Sequence, residues 1–174
     1  MIFTETRLKG AFLIQPELIE DERGFFARTW SQREFAERGL NSKLTEGNIS
    51  FNKKKGTLRG MHYQAPPHGQ AKLVRCTRGS IYDMIIDLRS SSTTFKEWLG
   101  VELTASNHLM LYIPENFAHG YQTLEDETEI AYQVSGAYAP ESERGVRWDD
   151  PAFGINWPLT VTIINERDRT YPNF

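Results

Sequence analysis

The stretch 80–88, Ser-Ile-Tyr-Asp-Met-Ile-Ile-Asp-Leu, decides the fold. Successive side chains of a strand point to opposite faces, so Ile81, Asp83, Ile85 and Asp87 share one face and Tyr82, Met84, Ile86 and Leu88 the other. The second face is wholly apolar. On the first, two carboxylates alternate with isoleucines, a pattern foreign to a solvated surface, and this predicts that at least one aspartate is buried with a partner. Outward from this strand, short apolar runs recur at LKGAFLI (8–14), NISFN (48–52), TLRGMHYQ (57–64), KLVRCT (72–77), WLGVELT (98–104), HLMLYIP (108–114), HGYQTL (119–124) and TEIAYQV (128–134). Gly, Pro, Ser or Asn separates them at short intervals, which predicts an antiparallel sandwich or barrel. One helix is signalled by Ser31 with Glu34 three residues on, a capping box followed by Phe35 and Ala36 and stopped at Gly39. A second helical turn is expected near the carboxyl end.

The bulk properties narrow the function classes. A chain of 174 residues that is 39% hydrophobic with 13 glycines is an ordinary globular chain, expected to form one domain over 1–174. A net charge of -3 gives no bulk steering toward nucleic acid, so any bound anion must be met locally. The single cysteine, Cys76, can form neither an internal disulfide nor a thiolate metal site, and its place in an alternating strand reads as packing. Thr4, Glu5, Thr6, Arg7 and Lys9 interrupt any leader-like apolar core, and no stretch approaches the ~20 apolar residues of a membrane helix. A cytoplasmic protein with no membrane or nucleic-acid partner is the expectation. The basic turn Lys53-Lys54-Lys55-Gly56 reads as solvated decoration or a phosphate contact.

No Gly-x-Ser-x-Gly elbow and no phosphate-binding glycine loop is present, so serine hydrolysis and nucleotide hydrolysis drop out. The four histidines, His62, His68, His108 and His119, form no His-x-His pair with a carboxylate at ligand spacing, and no metal is expected. What remains is acid–base chemistry by His, Lys, Tyr and Asp, in four places: Arg59 with His62, Lys72 with Arg75, Tyr132 with Tyr138, and Arg167 with Asp168. A histidine titrating near neutrality is a natural base, and a carboxylate on its other ring nitrogen fixes the tautomer. Asp168 and Asp83 both qualify as that carboxylate for His62.

Several motifs in fixed order carry a resemblance. GTLRGMHYQAPPHGQAKLVRCTRGSIYDMIIDLR, TTFKEWLGVEL, IPENFAHGYQTL, AYAPESERGVRWDDPAFGINWP and INERD, with DERGFF nearer the start, resemble the dTDP-4-dehydrorhamnose 3,5-epimerases from about Asp21 to Asp168. The resemblance implies an all-β, cupin-type jelly roll with a few short helices and no cofactor, acting as a homodimer on a nucleotide-diphospho-4-keto-6-deoxy sugar. Carried over position by position, it implies His62 as base, Asp168 as its orienting carboxylate, Lys72 as the cation at the enolate oxygen and Tyr132 as the acid on the far face. For the diphosphate it implies Arg59 and His119, with Arg167 a further candidate. Arg23 and Phe26 are expected to reach in from the dimer mate, and Tyr138 to lie against nucleotide or sugar.

The chain departs from the family pattern in two regions. Arg28 stands where the early motif usually has Glu, and Glu46 stands where Gln usually precedes Asn48. Both changes fall in motifs that the family uses around the nucleotide; thymine stays the expected base, with a simple exchange of an ion pair between positions 28 and 46 and a different base such as cytosine as the two readings left open. Gly136 and Ala137 replace an acid and an aromatic just before Tyr138. That loss of bulk leaves inversion at C3 alone open beside inversion at both C3 and C5.

Overall fold

A computed structural model describes all 174 residues. In chain order the elements are β1 (Ile2–Glu5), β2 (Phe12–Gln15), β3 (Ile19–Asp21), β4 (Gly24–Phe26), α1 (Gln32–Ala36), β5 (Leu44–Asn52), β6 (Leu58–Gln64), β7 (Lys72–Arg78), β8 (Ser80–Asp87), β9 (Trp98–Thr104), β10 (Met110–Ile113), β11 (Phe117–Thr123), β12 (Thr128–Ser135), β13 (Glu143–Gly145) and α2 (Glu166–Thr170). Two antiparallel sheets form a sandwich, one in the order β1-β2-β10-β7-β12-β5 and the other β13-β6-β11-β8-β9, while β3 and β4 make a separate hairpin.

The stretch 80–88 behaves as its pattern requires, and both its faces are buried. β8 lies inside its sheet between β11 and β9. Ile81 and Ile85 point between the sheets, where they pack with Val74, Leu111 and Ile130. Met84 and Ile86 point outward and are covered by Val146 and Phe153 of the carboxyl-terminal segment. Truncating one such fully buried side chain costs about 2–5 kcal/mol. Both aspartates are fully buried and both have partners. Asp87 accepts from Arg89 Nη2 at 2.7 Å, Ser92 Oγ at 2.6 Å and Thr94 Oγ1 at 2.7 Å. Burial alone would raise the Asp87 carboxyl, but these donors overcome it and hold it at about 2.

Several local readings need adjustment. LKGAFLI is not one strand: residues 8–10 form a tight turn with Gly10 at φ +87°, and only Phe12 onward pairs. The short strands β1, β3, β4 and β13 carry little hydrophobic alternation of their own. The helix signal is accurate, with Ser31 Oγ accepting from Glu34 N at 3.5 Å and Gly39 at φ +69°. Phe35 of α1 packs with Ile14, Leu73, Met110 and Tyr112 on the outer face of the six-stranded sheet. The β5 side of that outer face stays open: Ile49 is 70% exposed and Phe51 44%. The basic turn is solvated, with Lys54 paired to Asp126 at 3.3 Å.

Candidate active site

Two adjoining cavities of ≈ 240 and ≈ 260 Å³ open between the sheets, and both are lined by His62, Lys72, Tyr132 and Glu143. The outer lobe adds Glu46, Asn48, Gln70 and Tyr138; the inner lobe adds Ser50, Arg59, His119 and Arg167. Strand alternation accounts for this lining. On β12, Ile130, Tyr132 and Val134 point inward between the sheets, and on β5, Asn48 and Ser50 lie opposite Tyr132 and Ile130. His62 on β6 and His119 on β11 are direct cross-strand partners, so both project from the other wall.

Two glycines allow β6 and β11 to approach. Gly60 sits at φ +137°, and a Cβ there would lie 2.5 Å from Gly120 Cα. The pairing register shifts just past this contact, between His119 and Tyr121, a local irregularity of the kind that re-aims side chains.

Asp168, not Asp83, reaches His62. Its Oδ1 lies 2.7 Å from His62 Nε2, and its Oδ2 accepts the Gly60 N–H at 3.0 Å. The carboxylate is fully buried and is presented by α2, whose cap Asn165 accepts from Asp168 N at 2.7 Å. Burial would raise the Asp168 carboxyl, but the bond from His62, the Gly60 amide and nearby Arg167 together keep it below the usual carboxylate range. An ionised carboxylate only accepts, so Nε2 of His62 carries the hydrogen and the basic lone pair is on Nδ1. The imidazole is 27% exposed, hence reachable. Tyr171 lies edge-on at 6.1 Å, in space that exists because residue 145 is glycine: a Cβ there would meet its ring at 2.2 Å.

Asp83 serves the second histidine, with Oδ1 2.8 Å from His119 Nε2, while its Oδ2 has no partner. Burial pushes His119 below the ordinary histidine range, more than Asp83 raises it. Lys72 Nζ donates to the His62 carbonyl at 3.3 Å. Desolvation lowers the Lys72 ammonium to about 8, against the opposing pull of Asp83 and Glu143. It therefore stays mostly charged at neutral pH in a site where a charge is weakly screened.

The other expected residues divide into two groups. Arg59 is held by Nε donating to Asn52 Oδ1 at 2.8 Å and lines the inner lobe, as does Arg167. Tyr138, at 56% exposure, stands at the mouth of the outer lobe rather than in a core. Arg23, Phe26 and Arg28 lie away from this chain's own cleft, on or just after the β3–β4 hairpin. The Arg23 side chain is 84% exposed and paired with Asp21, and Phe26 is 65% exposed. The expected Arg28–Glu46 pair does not form within the chain, because the two residues line separate cavities. Cys76 is buried and its thiol is pushed up to about 11, as suits a packing residue.

Sequence reasoning missed Glu143. Its Oε1 accepts from Arg167 Nη1 at 2.7 Å and its Oε2 accepts from Tyr138 Oη at 2.7 Å, and it borders both lobes. It sits in ESERGVR among other charged residues, with nothing local to single it out.

A histidine–aspartate pair on one sheet, faced by a lysine and a tyrosine on the other, lines the cleft of a cupin-type jelly roll, an arrangement of the isomerase class. The family model described as dTDP-4-dehydrorhamnose 3,5-epimerase matches residues 5–174, and the chain belongs to that family. The dTDP-4-dehydrorhamnose 3,5-epimerase of Methanothermobacter thermautotrophicus is 44% identical over 172 residues, covering 97% of this chain and 92% of that one. The crystal structure of dTDP-4-dehydrorhamnose 3,5-epimerase from Elizabethkingia anophelis superimposes with a TM-score of 0.97 at 38% identity, over 100% of this chain and 96% of that one. That of the Bacillus anthracis dTDP-4-dehydrorhamnose 3,5-epimerase, with TDP and PPi bound, gives 0.95 at 38% identity over 99% of both chains.

Proposed function

We propose that this chain inverts C3 and C5 of dTDP-4-dehydro-6-deoxy-D-glucose, giving dTDP-4-dehydro-L-rhamnose by way of an enolate. The observation that carries the reading is the 2.7 Å His62–Asp168 pair on one wall of a cleft whose facing wall presents Lys72 and Tyr132. The C4 ketone acidifies the hydrogens on the two neighbouring carbons. His62 Nδ1 takes one of them, the electron pair passes to O4, and Asp168 supports the imidazolium that forms. The Lys72 ammonium stabilises the enolate oxygen, charge stabilisation that often exceeds any single proton-transfer contribution. Tyr132 returns a proton from the opposite ring face. One C–H bond breaks and one forms at each carbon, with no net redox change. Positioned acids and bases of this kind typically contribute about 10²- to 10⁴-fold each.

The nucleotide end follows from the same cleft. Arg59, with a planar guanidinium suited to phosphate, meets the diphosphate beside His119 and Arg167. Glu46 and Asn48 in the outer lobe offer an acceptor and a donor to the base, with Tyr138 at the mouth. A carboxylate there accepts thymine N3–H while the Asn48 amide donates to a flanking carbonyl. The protein works as a homodimer in which Arg23 and Phe26 complete the partner's cleft. The exposed rings of Phe25 and Phe26 and the open face at Ile49 and Phe51 supply the apolar surface such a contact needs.

The deciding experiment is deuterium incorporation from D2O followed by NMR. Both the histidine and the tyrosine exchange with solvent, so each inverted carbon gains one deuterium. Label at C3 and C5 is the expected result. Label at C3 alone would reduce the activity to mono-epimerisation, and none at either carbon overturns the reading.

A further inference from the structure

We propose that Phe174 is a positioning residue for the base: clamped on the outer side of the five-stranded sheet, it fixes the chain just past α2 and so holds Asp168 beneath His62. The proposal deepens the reading of the site given above and rests on it. Phe174 lines neither lobe of the cleft. Its N–H donates to Asp150 Oδ2 at 2.6 Å, and its ring packs against Phe153 at 5.3 Å and Phe95 at 6.2 Å between centroids. The Lys96 ammonium lies over the same ring, 4.9 Å from its centroid. These anchors are themselves fixed. Asp150 is buried, with Oδ1 accepting from Ala152 N at 2.8 Å, and Phe153 packs against Met61, Met84 and Ile86. Lys96 sits at φ +68°, a conformation that lysine rarely adopts and that persists where its surroundings impose it.

The clamp bears on the base through a short, stiff path. α2 has five residues, too few for a helix to hold its place by its own hydrogen bonds. Its position is set by what ties down its two ends. Before it, Ile163 O accepts from Leu58 N at 2.8 Å, and the Gln122 side chain exchanges two bonds with Leu159, at 2.8 and 3.0 Å. After it, Tyr171 fills the niche left by Gly145, with its ring edge-on to His62 at 6.1 Å, and the next anchor is Phe174. The chain from residue 171 to 174 spans at most about 10 Å, and Pro172 within it restricts the backbone. A fixed Phe174 therefore leaves Tyr171 and Asp168 little room to move. Asp168 is the residue on which the chemistry depends, because a carboxylate displaced from His62 Nε2 frees the ring to take the other tautomer or to turn away.

The test uses Phe174→Ala and the conservative Phe174→Tyr, which retains the ring at a position 48% exposed. Three readouts are taken: amide hydrogen exchange, the Nε2–H resonance of His62, and kcat by deuterium wash-in. In the Ala variant the Asp168 and Arg169 amides should exchange about tenfold faster, the change that about 1.4 kcal/mol of lost contact produces, while β8 amides keep their rates. The Nε2–H resonance should broaden, and kcat should fall about threefold to thirtyfold, within the roughly hundredfold that a misplacement of about 1 Å can cost. KM should stay within about twofold, because Arg59 and His119 remain on their strands and Arg167 stays tied to Glu143 at 2.7 Å. The Tyr variant should match wild type in all three. Faster α2 exchange with an unchanged kcat and His62 resonance would reduce the clamp to a purely structural role and overturn the proposal. Unchanged exchange, a uniform acceleration that includes β8, or an equal loss in the Tyr variant would overturn it too. Absence of deuterium incorporation in the wild-type protein would instead remove the epimerase reading, and the exchange and resonance readouts would still judge the clamp.

Discussion

Replacing Asp168 by Asn isolates how the base is tuned. The buried carboxylate now accepts two hydrogens, from His62 Nε2 at 2.7 Å and from Gly60 N at 3.0 Å. An amide has only one oxygen. If that oxygen faces His62, the NH2 is pressed against the Gly60 N–H, and a buried unsatisfied donor costs about 1–3 kcal/mol. If the amide flips, its NH2 faces Nε2 and forces the ring hydrogen onto Nδ1, the atom that must be free to take the substrate's hydrogen. In either orientation the imidazolium also loses its counter-charge. A wrong tautomer behind a histidine base costs about 10⁴-fold, so the expected fall in kcat is about 10²- to 10⁴-fold, or roughly 3–5 kcal/mol of barrier. KM should change little. Deuterium wash-in at saturating substrate measures the rate, and 15N NMR of the imidazole reads the tautomer directly. A variant within about threefold of wild-type kcat would refute the reasoning.

Two further outcomes are expected. Asp87→Asn removes a carboxyl held at about 2; a depressed carboxyl stabilises the fold above its unfolded value near 4 and loses that contribution as pH falls toward 2, so urea melts should give a deficit of about 2 kcal/mol at pH 7 that shrinks between pH 4 and 2. Arg23→Ala changes a side chain that is 84% exposed and remote from its own cleft, so folding should be unaffected while KM rises about tenfold or more through loss of a charged contact in the partner's site. Mixing Arg23→Ala with His62→Asn subunits should restore turnover through hybrid dimers carrying one intact site, and no restoration after subunit exchange would exclude a shared site.

What the sequence makes legible depends on the range of the interactions involved. The alternation in 80–88 identifies a buried strand, and the misplaced aspartates correctly point to buried carboxylates, because burial is a local matter of side-chain chemistry. Which carboxylate serves which histidine is not local. Asp83 and Asp168 are equally plausible partners of His62 until β6 and β11 are seen to set His62 opposite His119, and α2 to bring residue 168 beneath β6. The same limit hides Glu143, whose importance comes from two long-range bonds rather than from its neighbours in the chain. The β3–β4 hairpin is a different case. Exposed Phe25 and Phe26 make poor sense in an isolated chain, and only the motif order hints at a second copy.

The split of the chemistry between sheets follows from the reaction. Inverting a carbon requires proton removal and return on opposite faces of a sugar ring, so base and acid cannot share one surface. A sandwich with a cleft between its two sheets supplies opposed walls, and strand alternation then needs only one suitable side chain per strand. On the proposed roles, the base His62 comes from β6 and the acid Tyr132 from β12, both lining the same cleft. The cation proposed to stabilise the intermediate belongs between them, and β7, paired with β12 so that Lys72 lies opposite Val134, brings it to the cleft. The wall-to-wall arrangement thus constrains the catalytic set more tightly than the identity of any single residue does. By the same logic, moving the histidine to the acid's wall would leave proton exchange possible but inversion blocked.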